Sequence, residues 1–378
     1  MNFIILCYNS TGVFMNLEKI NLINFRNYDN LNIDFSSNIN MFIGNNGEGK
    51  TNILESIYLL SYGKSHRTRR DRELINWNRD YSYIGSHFKT NRLNKFIEIK
   101  LFKSGGKAIN INKIKISSIS DLIGVVNVVF FSPEDLKIVK DSPSIRRKFL
   151  DIEISKLKKS YYNNLVNYNK VLYEKNNLIK FNKNIDLKLL DIYDYELAKL
   201  SFHIISSRLW YLNDLNKYSK EIHRNITNEK ENINFIYENG IYEDITIERL
   251  HRKILQNRNL DIAKGSSSVG PHRDDFEINI NGFDARNFAS QGQQRTAVLT
   301  IKFASIEIIK SMINEYPILL LDDVLSELDY SRQNFILKSI SDIQTIITAT
   351  DTGQLNDLLN DINLFLVKNA NVTKLTDL

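Results

Sequence analysis

The 378-residue sequence predicts an α/β fold, with mixed sheets and helices around a phosphate-binding loop, interrupted by a mostly α-helical insertion. Three observations carry this reading. A glycine-rich stretch at 44–51 follows a short apolar run and opens a helical pattern. An apolar run ending in two acids, at 317–323, stands far downstream. Between them, from about 144 to 256, lies a long segment with one glycine, Gly240, and no proline.

The elements follow in order. Residues 20–25 and 39–43 read as strands. Residues 52–62 place Ile53, Leu54, Ile57, Tyr58 and Leu60 at helical spacing. Residues 96–102 and 108–111, joined by Ser104-Gly105-Gly106, predict a β-hairpin, and 125–130 a buried strand. In the insertion, Ile154, Leu157, Tyr161, Leu165, Tyr168 and Leu172 recur three or four apart. So do Leu197, Leu200, Ile204, Arg208, Tyr211, Leu212 and Leu215. This predicts an antiparallel helical arm, with heptads too short-lived for a long coiled coil. Tyr161, Tyr162 and Tyr168 on that stripe are expected to pack in the core rather than stack on bases. Residues 265–271 form a return loop. A strand at 276–280, a helix at 297–313 and short buried strands at 318–321, 345–349 and 364–367 complete the chain. The expected division is residues 1–130 plus 265–378 as the nucleotide-binding domain, with 131–264 as the helical lobe.

Composition sets the outer bounds. A hydrophobic share of 42% with 25% charged residues is ordinary for a globular chain, which argues against wholesale disorder. The single cysteine, Cys7, leaves no disulfide framework, no cysteine zinc site and no zinc hook, which fits a reducing, cytoplasmic setting. No apolar run reaches the roughly 18 residues that a membrane helix needs. Residues 1–14 lack the basic start of a secretory signal. They read either as an extension or as a start placed upstream of Met15. The formal net charge is +6, but 61–110 carry +8 and 311–378 carry −6. Such asymmetry offers a basic face to a polyanion. A solvated surface is the plainer alternative.

Gly44-Asn45-Asn46-Gly47-Glu48-Gly49-Lys50-Thr51 satisfies the P-loop pattern, in the strand-then-helix context that the chemistry requires. Glycines let successive N–H groups point at phosphate oxygens, and the helix N-terminus adds a favourable field. Lys50 is expected on the β- and γ-phosphates of ATP, Thr51 on Mg²⁺, and Asn52 at the edge of the cradle. Pro317-Ile318-Leu319-Leu320-Leu321-Asp322-Asp323 has the Walker-B form: Asp322 would hold Mg²⁺ and Asp323 would orient and deprotonate water. Ser290-Gln291-Gly292-Gln293, opening the preceding helix, matches the ABC signature. It makes Ser290 a catalytic candidate, and Gly292 and Gln293 nucleotide contacts. Taken alone, that stretch is equally a polar N-cap. Ser326-Glu327-Leu328-Asp329 matches the D-loop.

The order of P-loop, long insertion, signature, Walker B and D-loop resembles the ABC-type ATPase heads of the SMC, Rad50 and RecF proteins. Several stretches resemble the RecF family in detail. They are Asn24-Phe25-Arg26-Asn27-Tyr28, Gly63-Lys64-Ser65-His66-Arg67-Thr68 and Phe131-Ser132-Pro133-Glu134-Asp135-Leu136. Arg146-Arg147-Lys148-Phe149-Leu150-Asp151, Gly270-Pro271-His272-Arg273-Asp274-Asp275 and Ser290 to Arg295 belong with them. The resemblance implies a DNA-repair mediator that dimerises on ATP. It would hold DNA at duplex/single-strand junctions and work with RecO and RecR to load RecA. Two departures bear on this. Glu48 stands where the family often has Gln. The stretch Thr348-Ala349-Thr350-Asp351 lacks the histidine of transporter domains, and Asp323 is shorter than their glutamate. Both latter features imply slow hydrolysis, with ATP acting as a switch.

Two basic clusters are DNA candidates: Lys64, Arg67, Arg69, Arg70 and Arg72, and Arg146, Arg147 and Lys148. A solvated or interdomain role is the alternative for each. His66 and His272 are expected to be hydrogen-bonded structural residues, and Arg273, Asp274 and Asp275 to brace the domain joint. Three rivals remain. A transport ATPase usually has a much shorter gap than the 240 positions from Lys50 to Ser290. An SMC- or Rad50-like tether needs hundreds of heptad residues. A nucleotide-binding scaffold without turnover is the third.

Overall fold

The computed structural model describes residues 13–91, 93–181, 185–238, 244–340, 342–351 and 362–375. Cys7, Gly240 and residues 1–12 of the stretch 1–14, read above as an extension or a misplaced start, lie outside them. The chain divides into two compact units, Met1–Asp135 with Ser305–Leu378, and Leu136–Ala304.

The first unit is built on two six-stranded sheets. One is antiparallel, in the order Tyr28–Asp34, Asn16–Phe25, Tyr81–Lys89, Lys95–Phe102, Lys107–Ile111, Ile114–Lys115. The other runs Asn371–Leu375, Ile362–Lys368, Ile39–Ile43, Thr345–Ala349, Ile318–Asp322, Val128–Phe131, and only its first pair is antiparallel. The helix Lys50–Tyr62 touches strands of both sheets. Its Ile53, Leu54, Ile57, Tyr58, Leu59 and Leu60 are all buried, as a helix enclosed on several sides requires. These side chains join Leu17, Phe25, Phe42, Ile84, Ile99 and Leu320 in one apolar core. Parallel strands buried on both faces read as continuous apolar runs, which is why Ile318–Leu321 is legible in sequence.

The second unit holds the helices Pro143–Leu157, Lys159–Phe181, Leu187–Thr227 and Ile247–Lys264. The third starts on an N-cap, where the Asp186 side chain accepts from the Lys188 and Leu189 N–H groups. It ends at Asn228 in the left-handed conformation. At 41 residues it is roughly 60 Å long.

The insertion is mostly helical, as expected, and carries one strand that the sequence reading did not give. Ile233–Glu238 is a strand whose Ile233 and Phe235 are buried while alternate positions face out, a period of two lost in a helical surround. It pairs antiparallel along its full length with Asp275–Ile280. That pairing also draws residues 265–304 into the second unit rather than into the nucleotide-binding domain, and the division falls inside the helix Gln291–Ile313.

Candidate functional site

The parallel sheet assembles the site. Thr348 pairs with Phe42 on one side and with Asp322 on the other. The chain therefore leaves Ile39–Ile43 and Ile318–Asp322 at the same carboxyl edge, where open α/β sheets bind ligands. Two glycines shape the loop. A Cβ on Gly44 would lie 2.2 Å from the Val367 carbonyl oxygen, and Gly49 has φ 116° with a Cβ position 2.6 Å from the Asn27 amide. Neither position admits a side chain.

Lys50 is buried, and its Nζ donates to the carbonyls of Gly44 (2.6 Å) and Asn45 (3.0 Å). A buried ammonium with only neutral partners favours an anion, and a phosphate fits that need. Across 271 positions of sequence, Thr51 Oγ1 donates to Asp322 Oδ1 at 2.8 Å. Thr348 Oγ1 donates to the same oxygen at 2.8 Å and accepts from the Asp323 N–H at 3.0 Å. Asp323 holds a left-handed backbone, φ 52°. Burial, and then Asp323 nearby, raise the Asp322 carboxyl, while the bonds from Thr51 and Thr348 pull it down. Among the described residues no group of three His, Cys, Asp or Glu can hold a metal. One carboxylate and one hydroxyl suit Mg²⁺, which takes few protein ligands and completes its shell with phosphate oxygens and water.

The flanking residues brace the loop. Asn27 Nδ2 donates to the Glu48 carbonyl (3.0 Å), Asn52 Nδ2 to Asn27 Oδ1 (2.8 Å), and Arg67 to Asn52 Oδ1 (2.9 Å). The Asn52 side chain is thus engaged by Asn27 and Arg67. The Glu48 carboxylate accepts from the Asn369 N–H. Asn45, Asn46 and Gly47 are exposed at the loop tip. Glu55, fully buried on the P-loop helix, accepts from Arg26 Nε (2.9 Å), Arg26 NH2 (2.8 Å) and Ser65 Oγ (2.5 Å), with Arg67 3.5 Å away. Burial alone would raise its carboxyl. The hydrogen bonds and the two guanidinium charges outweigh that and hold it low.

Sequence reasoning gave no role to Thr348 or Arg26 and did not single out Glu55 at all. Residues 348–351 are read for the histidine they lack, and Glu55 sits in a helix with nothing local to mark it. The His66 ring lies tilted against Phe130, with centroids 4.3 Å apart.

In the second unit, Ser290 begins the signature helix as a reciprocal cap. Its Oγ accepts from the Gln293 N–H (3.2 Å), and its N–H donates to Gln293 Oε1 (2.8 Å). Gln293 Nε2 also donates to Glu231 (2.9 Å). Accepting from Gln293 leaves the Ser290 O–H proton to donate elsewhere.

The second basic cluster is corrected in part. Arg146 is 4% exposed and binds Asp275 through two bonds of 2.7 and 2.6 Å, so it is a structural residue and not a DNA contact. Arg147 donates to the Asp274 carbonyl at 2.7 Å. Tyr168 and His272 form a 2.5 Å bond. The His272 Nε2 faces the Ser267 carbonyl, which can only accept, so Nδ1 accepts from the tyrosine. Burial pushes His272 down to about 4.

The model of the RecF/RecN/SMC N-terminal domain matches residues 16–373. The DNA replication and repair protein RecF of Clostridium perfringens is 55% identical over 348 residues, 92% of this chain and 96% of that protein. A solved structure of the recombination mediator protein RecF with ATP, from the RecFOR pathway, superposes with a TM-score of 0.88 at 37% identity. It covers 96% of this chain and 100% of its own. The SMC head domain of Pyrococcus furiosus, with an extended coiled coil, shares the fold at a TM-score of 0.56 and 18% identity.

Proposed function

The chain belongs to the RecF family, within the wider group of RecF, RecN and SMC proteins, and from that premise we propose that it binds ATP with Mg²⁺, pairs with a second copy and closes on DNA in replication and repair. The observation that carries this is the meeting of Lys50, Thr51 and Asp322 at one sheet edge, with a buried cation short of an anion.

In this reading Lys50 meets the β- and γ-phosphates, the N–H groups of 45–51 line the cradle, and Thr51 and Asp322 hold Mg²⁺. Asp323 orients the attacking water and accepts its proton. Bound ATP supplies the anhydride bond that is cleaved. The Ser290 hydroxyl and the N–H groups near Gly292 of a second copy donate to the γ-phosphate, contacts that exist only in the paired state. A ligand shifts an equilibrium by such differential contacts, so ATP works as a closing switch with slow hydrolysis. Lys64, Arg69, Arg70 and Arg72, all exposed, present charge to DNA phosphates, while Arg67 of the same cluster is engaged by Asn52 and Glu55. Gapped duplex, with RecO, RecR and RecA as co-workers, is the setting that the family implies. A transport role is disfavoured, since the family model matches residues 16–373 and a relative 55% identical over 92% of the chain is a DNA replication and repair protein.

Sedimentation with ATP, ADP or no nucleotide, with and without gapped duplex, tests the proposal. Mass should double with ATP alone among the nucleotides and DNA binding should sharpen, while Lys50→Ala abolishes both. Asp323→Asn should pair normally and lose phosphate release. A chain that stays monomeric at saturating ATP refutes the clamp, and one that pairs without turnover is a scaffold.

A further inference from the structure

The turn Asn76–Arg79 carries the most exposed large apolar side chain among the described residues, Trp77, at 91%. The turn itself is firmly held. Ile75 bridges Phe25, the Asn76 N–H donates to the Asn24 carbonyl (2.9 Å), and the Arg79 N–H closes the turn on Asn76 (3.0 Å). Lys103 pins it from the turn after the strand Lys95–Phe102, its N–H on the Asp80 carbonyl (2.8 Å) and its Nζ on the Trp77 carbonyl (3.3 Å). An indole is thus displayed on rigid backbone, open to solvent.

Its surroundings carry both signs, with residues 71–80 summing to −1 and cations reaching in from Lys100 and Lys103. Lys103 and Arg79 adjoin it, and Arg72 is exposed on the preceding 3₁₀ turn. Lys100 lies 4.7 Å from the ring of Tyr81, which is itself 40% exposed. The nearby acids are Asp71 and Glu73 on either side of Arg72, Asp80, and Asp29; Lys107 pairs with Asp71 at 2.9 Å, Arg70 with Glu73 at 3.8 Å and Arg79 with Asp29 at 3.5 Å. The whole stretch 61–110 carries +8. Lysine is depleted where proteins dock on one another, whereas aromatic rings among lysines and arginines suit single-stranded nucleic acid. Every base offers a π-face, so such a platform needs no sequence.

We infer that Trp77 is a stacking platform for an unpaired base of single-stranded DNA, with Lys103, Arg79 and Arg72 meeting the flanking phosphates. This rests on the DNA-binding reading above and adds to it the means of recognising the unpaired side of a junction. Paired bases are stacked within the duplex and cannot lie on the indole.

The chain has two tryptophans, so Trp210→Phe leaves Trp77 as sole reporter. Its emission should be quenched by oligothymidylate and by gapped duplex, and far less by blunt duplex. In the otherwise unaltered chain, Trp77→Ala should weaken oligothymidylate binding, read by anisotropy of the labelled strand, by roughly 5- to 150-fold. Blunt-duplex affinity should stay within about twofold, and Trp77→Phe should retain most single-strand binding. Silent Trp77 emission with strand bound, or unchanged affinity in Trp77→Ala, overturns the inference and leaves the turn to a protein partner. Failure of the unmodified chain to bind any DNA overturns the DNA-binding reading and this one together.

Discussion

Asp322 shows how much a single carboxylate depends on its neighbours. Two hydroxyls converge on one of its oxygens, from Thr51 on the P-loop helix and from Thr348 on the adjacent strand. Thr348 also holds the Asp323 N–H, so one hydroxyl positions both acids. Replacing it with valine keeps the shape and removes the bonds. Thr348→Val should lower ATP turnover by roughly 5- to 30-fold, the worth of one or two positional hydrogen bonds, and leave nucleotide affinity nearly unchanged. Weakened ATP binding with intact turnover would show that Thr348 serves the cradle instead. Glu55 is comparable, since a buried acid is tolerated there only because Arg26 and Ser65 bond to it and Arg67 lies near.

At the scale of elements, the second unit is tied together by a buried polar network. Arg208 on the long helix donates to Tyr161, Tyr237, Asp151 and the Pro271 carbonyl. Tyr237 donates in turn to Asp274. Tyr161 and Tyr168 pack in the core as expected, with both hydroxyls bonded, whereas Tyr162, expected with them, is only half-buried. Two groups here titrate in opposite senses. His272 falls from 6.5 to about 4 through burial, so its contribution is complete above pH 6.5 and is lost as pH falls through about 4. Asp274 rises from 3.8 to about 6, also through burial, so its contribution is present below 3.8 and is lost as pH rises through about 6. Between pH 6.5 and 4 the two offset each other. Relative to the unmodified chain, His272→Gln should gain stability on acidification across this window and Asp274→Asn should lose it. Each change should be at most about 3 kcal/mol. Urea unfolding at several pH values checks this, and pH profiles parallel to the unmodified chain would refute the pairing.

For the molecule as a whole, charge distribution decides how DNA is held. If Lys64, Arg69, Arg70 and Arg72 each neutralise a phosphate, the plot of log affinity for duplex against log salt should include a slope of about −3.6 from them. Removing any one should reduce it by about 0.9. Arg146→Ala should leave that slope alone and destabilise the second unit, because it strands the carboxylate of Asp275. A slope that changes with Arg146 and ignores the four exposed residues would reverse the assignment.

Local patterning was enough to reveal the phosphate loop between Ile39–Ile43 and Lys50–Tyr62, and the buried strand that ends in Asp322, because strand period, helix period and glycine chemistry are written in neighbouring residues. It also ordered the motifs well enough to point to the family. Tertiary structure alone decided which distant groups meet. Thr348 reaches Asp322, Arg26 and Arg67 reach Glu55, Arg146 closes on Asp275, and Ile233–Glu238 finds Asp275–Ile280. The reason is physical: a side chain's spacing along the chain predicts its face, whereas its partner depends on which strands and helices the fold brings alongside. Charge in sequence does not say whether a guanidinium is buried against a carboxylate or left in water for a phosphate.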